Sequence, residues 1–144
     1  MVEERTEHPV FNSAAFAVRY TATPRRVLVV EDDLDSVRAL VELIRDIGHR
    51  VEYAINGYAA LEIARRFKPH FVLMDLGLPG MSGYEACRRL KREPGAEPMR
   101  VIALTAYGQE EHRAQARSAG CELHLVKPVS PQAIFDVLES TLPS

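Results

Sequence analysis

Apolar and polar positions fall into two alternating rhythms from Val27 onward. Four short apolar runs, at 27–30, 71–74, 101–104 and 123–126, predict buried strands. A fifth run, at 51–54, alternates around Glu52 and predicts an edge strand. Helical spacing fills the gaps. Leu34, Val37, Val41, Ile44 and Ile47 share one face and stop at Gly48. Asn56 opens a second helix carrying Ala60, Leu61, Ala64 and Phe67. Ser82 and Glu85 have the spacing of a capping box, which predicts a third. Residues 109–119 predict a fourth, ended by Gly120, whose apolar residues are only Ala114, Ala116 and Ala119. Ser130 caps a fifth, with Pro131 in its first turn and Ile134, Val137 and Leu138 facing inward.

Strict strand–helix alternation predicts an α/β fold, with a five-stranded parallel sheet, doubly wound, and helices on both faces. The functional residues of such a sheet lie beyond the carboxyl ends of its strands. The first 25 residues do not share the pattern. Phe16, Val18 and Tyr20 suit a short strand, whereas Phe11, Ala14, Ala15 and Val18 suit a helical face, and both readings stand. The chain therefore divides into an N-terminal extension, 1–25, and one domain, 26–144.

Composition narrows the function. A net charge of -2 gives no global basic field for nucleic acid or an anionic membrane. The basic clusters Arg65, Arg66, Lys68 and Arg88, Arg89, Lys91, Arg92 fall on predicted helices and read as solvated faces. Cys87 and Cys121 form no CxxC pair and have no His at zinc spacing; Cys87 reads as packing, in a chain suited to a reducing cytoplasm. No apolar run approaches the ~20 residues of a membrane span. Glu3, Glu4 and Glu7 argue against a signal peptide. Gly77, Gly80 and Gly83 do not follow the dinucleotide-binding spacing.

The strand ends carry the candidate chemistry. Strand one runs into Glu31, Asp32 and Asp33, strand three into Asp75, strand four into Thr105, and strand five into Lys127 and Pro128. An acid at a strand end is usually a cap or turn former, and a lone lysine is usually a surface residue. Four strand ends delivering such groups to one edge are harder to explain that way. Clustered carboxylates repel, and proton uptake or a bound cation relieves them. Hard oxygen ligands beside a phosphoryl group favour magnesium. Lys127 and the Thr105 hydroxyl suit phosphoryl oxygens, which leaves Asp75 as the nucleophile that forms an aspartyl phosphate.

The segments VLVVEDD at 27–33, VLMDLGLPGMSGYE at 72–85, VIALTA at 101–106 and LVKPV at 125–129 resemble the receiver domains of bacterial two-component response regulators. The resemblance covers roughly residues 26 to 142, and the phrases LGLPGMSGYE and LTAYGQEE look similar to receivers attached to hybrid sensor kinases. It implies a flavodoxin-like sheet in the order 2-1-3-4-5. It also implies Asp75 as phosphoacceptor, Asp32 as direct Mg2+ ligand, Glu31 supporting through water, and the Gly77 carbonyl completing the metal site. Thr105 and Lys127 would contact the phosphoryl oxygens, and the Lys127–Pro128 bond would be cis. His124 stands where the family often has a switch Tyr or Phe, so Thr105 and His124 are the switch candidates. The implied function is a stand-alone cytoplasmic switch, not an enzyme beyond its own phosphorylation and dephosphorylation. Its partners would be a histidine kinase or phosphotransfer protein and a downstream protein target, without DNA binding. Two alternatives are weighed. A dehalogenase-type aspartyl phosphatase wants an acid where Gly77 stands, and a phosphorylation-independent scaffold would not need the full acceptor set.

Overall fold

A computed structural model describes residues 19–95, 98–106 and 113–140. Five strands and five helices alternate: β1 (Arg26–Val30), α1 (Leu34–Ile47), β2 (Arg50–Ala54), α2 (Gly57–Phe67), β3 (Phe71–Asp75), α3 (Gly83–Arg92), β4 (Arg100–Thr105), α4 (Arg113–Ala119), β5 (Cys121–Val126) and α5 (Pro131–Leu138). All strands pair in parallel, in the order β2-β1-β3-β4-β5. The expected fold and strand order are thus present.

Side chains of a strand alternate between sheet faces, and the core splits accordingly. Val27, Val29, Phe71, Leu73, Ile102 and Leu104 pack with Ile44 and Ile47 of α1 and Ile134 and Leu138 of α5. Leu28, Val30, Val72, Met74, Val101 and Ala103 face α2, α3 and α4. That second layer is built from smaller side chains, and α4 contributes only Ala116 and Ala119 to it.

Local chemistry sets the helix ends. Asp33, Asn56, Ser82 and Ser130 cap α1, α2, α3 and α5, each accepting the N–H three residues on. The Ser82 box is only half made. Ser82 accepts from Glu85 N–H at 3.1 Å, but the Glu85 carboxylate turns to Arg89 at 2.8 Å. Gly48 ends α1 at a φ of 112°, in the left-handed region. At Gly83 a Cβ would lie 2.5 Å from the Asp75 carbonyl oxygen, so only glycine lets α3 start directly behind the end of β3.

Two sequence readings shift. β5 starts at Cys121, ahead of the expected Leu123. Within the described residues α4 begins at Arg113, and the expected first turn, at 109–112, lies outside them. Most of the proposed extension also lies outside them. Its last residues lie against the domain: Thr21 N–H donates to the Ile47 carbonyl at 2.8 Å and Arg25 N–H to His49 Nδ1 at 3.0 Å. No helix among the described residues is long and apolar enough to cross a membrane.

Candidate functional site

Parallel pairing brings the carboxyl ends of β1, β3, β4 and β5 to one edge. β1 pairs with β3 up to Val30 and Met74, so the next residues, Glu31 and Asp75, emerge side by side. Asp75 is opposite Leu104 of β4, and Thr105 is opposite Val126 of β5, one residue before Lys127. Lys127 N–H donates to the Thr105 carbonyl at 2.8 Å, which fixes where its side chain starts. The Lys127–Pro128 peptide is cis, as the resemblance implied.

Glu31, Asp32 and Asp75 each offer a carboxylate oxygen, and these oxygens lie within 4.8 Å of one another. Glu31 and Asp75 are buried, whereas Asp32 is exposed. The third acid of the run, Asp33, takes a different role. It caps α1 by accepting from Ser36 N–H at 3.0 Å and Ser36 Oγ at 2.6 Å, which holds its carboxyl below the ordinary range.

Lys127 binds this acidic group from the other side. Its Nζ lies 2.9 Å from Glu31 Oε1 and 3.5 Å from Asp75 Oδ1. Burial pushes the Glu31 carboxyl up; the Lys127 hydrogen bond and the Asp33 N–H oppose this, and the Asp75 charge adds to it. For Lys127, burial works against the charge, but Glu31 and Asp75 outweigh it and hold the ammonium above its ordinary value. Asp75 Oδ1 also accepts Gly77 N–H at 3.0 Å. Among the described residues, a Cβ at Gly77 would meet only that same oxygen, at 3.6 Å, which is ordinary van der Waals contact.

Thr105 is buried, and its Oγ1 lies 2.9 Å from His124 Nε2. The two switch candidates are therefore in direct contact, a pairing that spacing alone did not reveal. Sequence reasoning also missed Glu31 as the nearer partner of Lys127. Both contacts join residues far apart in the chain. Tyr107, two residues past Thr105 and expected from its position to shield the approach of water to Asp75, lies outside the described residues.

The three acids fit a divalent cation. They are hard oxygen donors held close enough to share an ion, two of them buried, and one of these, Glu31, kept from easy ionisation. A recess of about 460 Å³ bordered by Arg26, Arg65, Lys68 and His70 lies at the opposite, amino end of the strands and holds none of these groups.

Known proteins place this arrangement. Residues 27–139 match the family model of the response regulator receiver domain. The polar-differentiation response regulator DivK of Brucella anthropi is 33% identical over 119 residues, covering 83% of this chain and 97% of DivK. Protein PilH of Pseudomonas aeruginosa is 31% identical over 117 residues, covering 81% and 97%. Among solved structures, the receiver domain of a Pseudomonas aeruginosa PAO1 sensor histidine kinase, with a magnesium ion coordinated in its active-site cleft, is 28% identical. Its TM-score is 0.74, covering 81% of this chain and 96% of that one. The chain belongs to the response regulator receiver family, the signalling domains of two-component systems.

Proposed function

We propose that this domain is a phosphorylation-dependent switch in which Asp75 accepts a phosphoryl group from a histidine kinase or a phosphotransfer protein. The observation that carries the reading is the placement of Lys127 between two buried carboxylates, 2.9 Å from Glu31 and 3.5 Å from Asp75. A lysine there restrains the acids before reaction and can follow the negative charge when it moves outward onto a phosphoryl group.

Each residue has a separable task. The Asp75 contacts among the described residues fall on Oδ1, from Gly77 N–H and Lys127, which leaves Oδ2 to attack phosphorus. The new bond is O–P, the bond to the donor nitrogen breaks, and that nitrogen keeps the electron pair. Glu31, Asp32, Asp75 and the Gly77 carbonyl would hold Mg2+, which when bound neutralises charge on the phosphoryl oxygens. Lys127 and the Thr105 hydroxyl would contact those oxygens. Thr105 would turn from His124 to do so, and α4, whose buried residues among those described are Ala116 and Ala119, resists a shift least. Phosphorylation would then bias two arrangements of the face formed by α4, β5 and α5, where a downstream protein binds. We place this switch in the cytoplasm.

The test is incubation with acetyl phosphate and magnesium, read by intact-protein mass spectrometry. The protein should gain one acid-labile phosphoryl group, and Asp75→Asn should gain none while keeping its fold. Equal gain by the variant would refute the assignment.

A further inference from the structure

Cys87 on α3 and Cys121 at the start of β5 are both buried, with relative exposures of 0% and 5%. Their sulfurs lie 3.5 Å apart. The two elements touch closely here: a Cβ on Gly120 would meet Lys91 Cγ at 3.0 Å and Cys87 Sγ at 3.5 Å. Lys91 Nζ donates to Glu122 Oε2 at 2.6 Å and to the Met99 carbonyl at 2.8 Å, while Glu122 Oε1 accepts Val101 N–H at 2.8 Å. These bonds hold the start of β5 against α3 and place an ammonium beside the thiols.

We propose that Cys87 and Cys121 form a reversible intrachain disulfide when the protein meets a hydroperoxide. Disulfide sulfurs are ~2.05 Å apart, so the pair must close by about 1.5 Å. The β4–β5 register is irregular between Val101 and Ile102, which gives the chain at Cys121 room to shift without sliding the whole ladder. Cys121 is the less enclosed thiol and the attacking one. The Cys87 thiol beside it holds it below the ordinary thiol value, against burial and the Glu122 carboxylate, with Lys91 offsetting part of the latter. Cys87 is pushed up by the same contact and by burial, which suits the resolving partner.

The step balances. The Cys121 thiolate attacks a peroxide oxygen, the O–O bond breaks, and one alcohol (water, from hydrogen peroxide) leaves. The resulting sulfenic acid is attacked by the Cys87 sulfur, and hydroxide departs with the Cys87 proton as water. Two thiols and one hydroperoxide become a disulfide, an alcohol and a water. The sulfurs lose two electrons and the O–O bond takes them. In a reducing compartment such a link is transient, as expected of a sensing device. It would tie α3 to the strand that follows α4 and restrain the end of the helix with the smallest buried residues.

The full-length protein is treated with hydrogen peroxide under native conditions, then alkylated and digested. The expected product is lighter by two hydrogens, carries one peptide link between positions 87 and 121, and reverts with dithiothreitol. Hydrogen exchange should slow across 119–123. Cys87→Ala should stop at a sulfenic acid on Cys121, trapped by dimedone, and Cys121→Ala should leave Cys87 unmodified. The proposal is overturned if both native wild-type thiols remain alkylatable, or if the link appears only in urea. An unchanged exchange pattern in the cross-linked protein would overturn the restraint on α4.

Discussion

Replacing Lys127 with methionine keeps the length of its stem and removes its charge, leaving Glu31 buried beside Asp75 and Asp32. At 2.9 Å the Lys127–Glu31 attraction is about 6 kcal/mol for an effective dielectric of 20. The Lys127 side chain is one-third exposed, so solvent screens it, and freeing the ammonium returns its hydration. A net loss of about 2–3 kcal/mol at neutral pH follows without magnesium. The loss depends on pH through Glu31, whose folded pKa already lies above its unfolded value. Between those values the folded state holds the extra proton, so this group's contribution to stability falls as pH rises. Without Lys127 the gap widens. The stability deficit of Lys127→Met should therefore be smaller near pH 5 than at pH 7 to 8, because proton uptake by the raised Glu31 carboxyl removes the charge that Lys127 neutralises. Lys127 itself, with its pKa raised above 10.5, stays charged across that range. Urea denaturation of wild type and variant at both pH values measures the deficit. Millimolar magnesium should recover part of it at neutral pH. A deficit that is equal at both pH values would refute the reasoning, because it would mean that Lys127 contributes by packing alone.

Asp32→Ala removes an exposed acid from the cluster and should weaken magnesium binding about tenfold or more, while leaving metal-free stability equal or higher; titration calorimetry and a thermal melt read both. Gly77→Asn should shorten the lifetime of the phosphorylated form, since a Cβ there meets only Asp75 Oδ1 at 3.6 Å and an amide could orient a water; a decay assay after donor removal checks this. His49 and His70 each accept a backbone N–H at Nδ1, from Arg25 and Arg26, and burial holds both pKa values below 6.5. Their contribution is present above about pH 6.5 and lost as pH falls through the folded values. The melting temperature should drop between pH 7 and pH 5, and a His49→Asn, His70→Asn double variant should drop less.

The strand ends were legible because each apolar run stops at a polar residue, and parallel alternation sends all those ends to one edge. Glu31, Asp75, Thr105 and Lys127 could be gathered from that rule alone. What the rule could not supply was pairing within the edge. That Lys127 sits nearer Glu31 than Asp75, and that Thr105 meets His124, depends on register between distant strands. The strand-end rule likewise did not separate Asp33 from Asp32; the resemblance singled out Asp32, and the backbone makes Asp33 a helix cap. Cys87 reads as core from its helical face, and it is core. Its contact with Cys121 was hidden because β5 begins two residues before its apolar run. The Glu85 half of the capping box gave way to the arginines that follow it on the helix, a competition that spacing does not rank.

Trapping the acyl phosphate shows directly whether Asp75 is the acceptor. Protein phosphorylated with acetyl phosphate and magnesium is reduced with borohydride, which converts a phosphorylated aspartate to homoserine, and the peptides are sequenced by mass spectrometry. Reduction is expected at position 75 and at neither Glu31 nor Asp32. Reduction at one of those acids, or at none of the three in protein that carries the phosphoryl group, would contradict it.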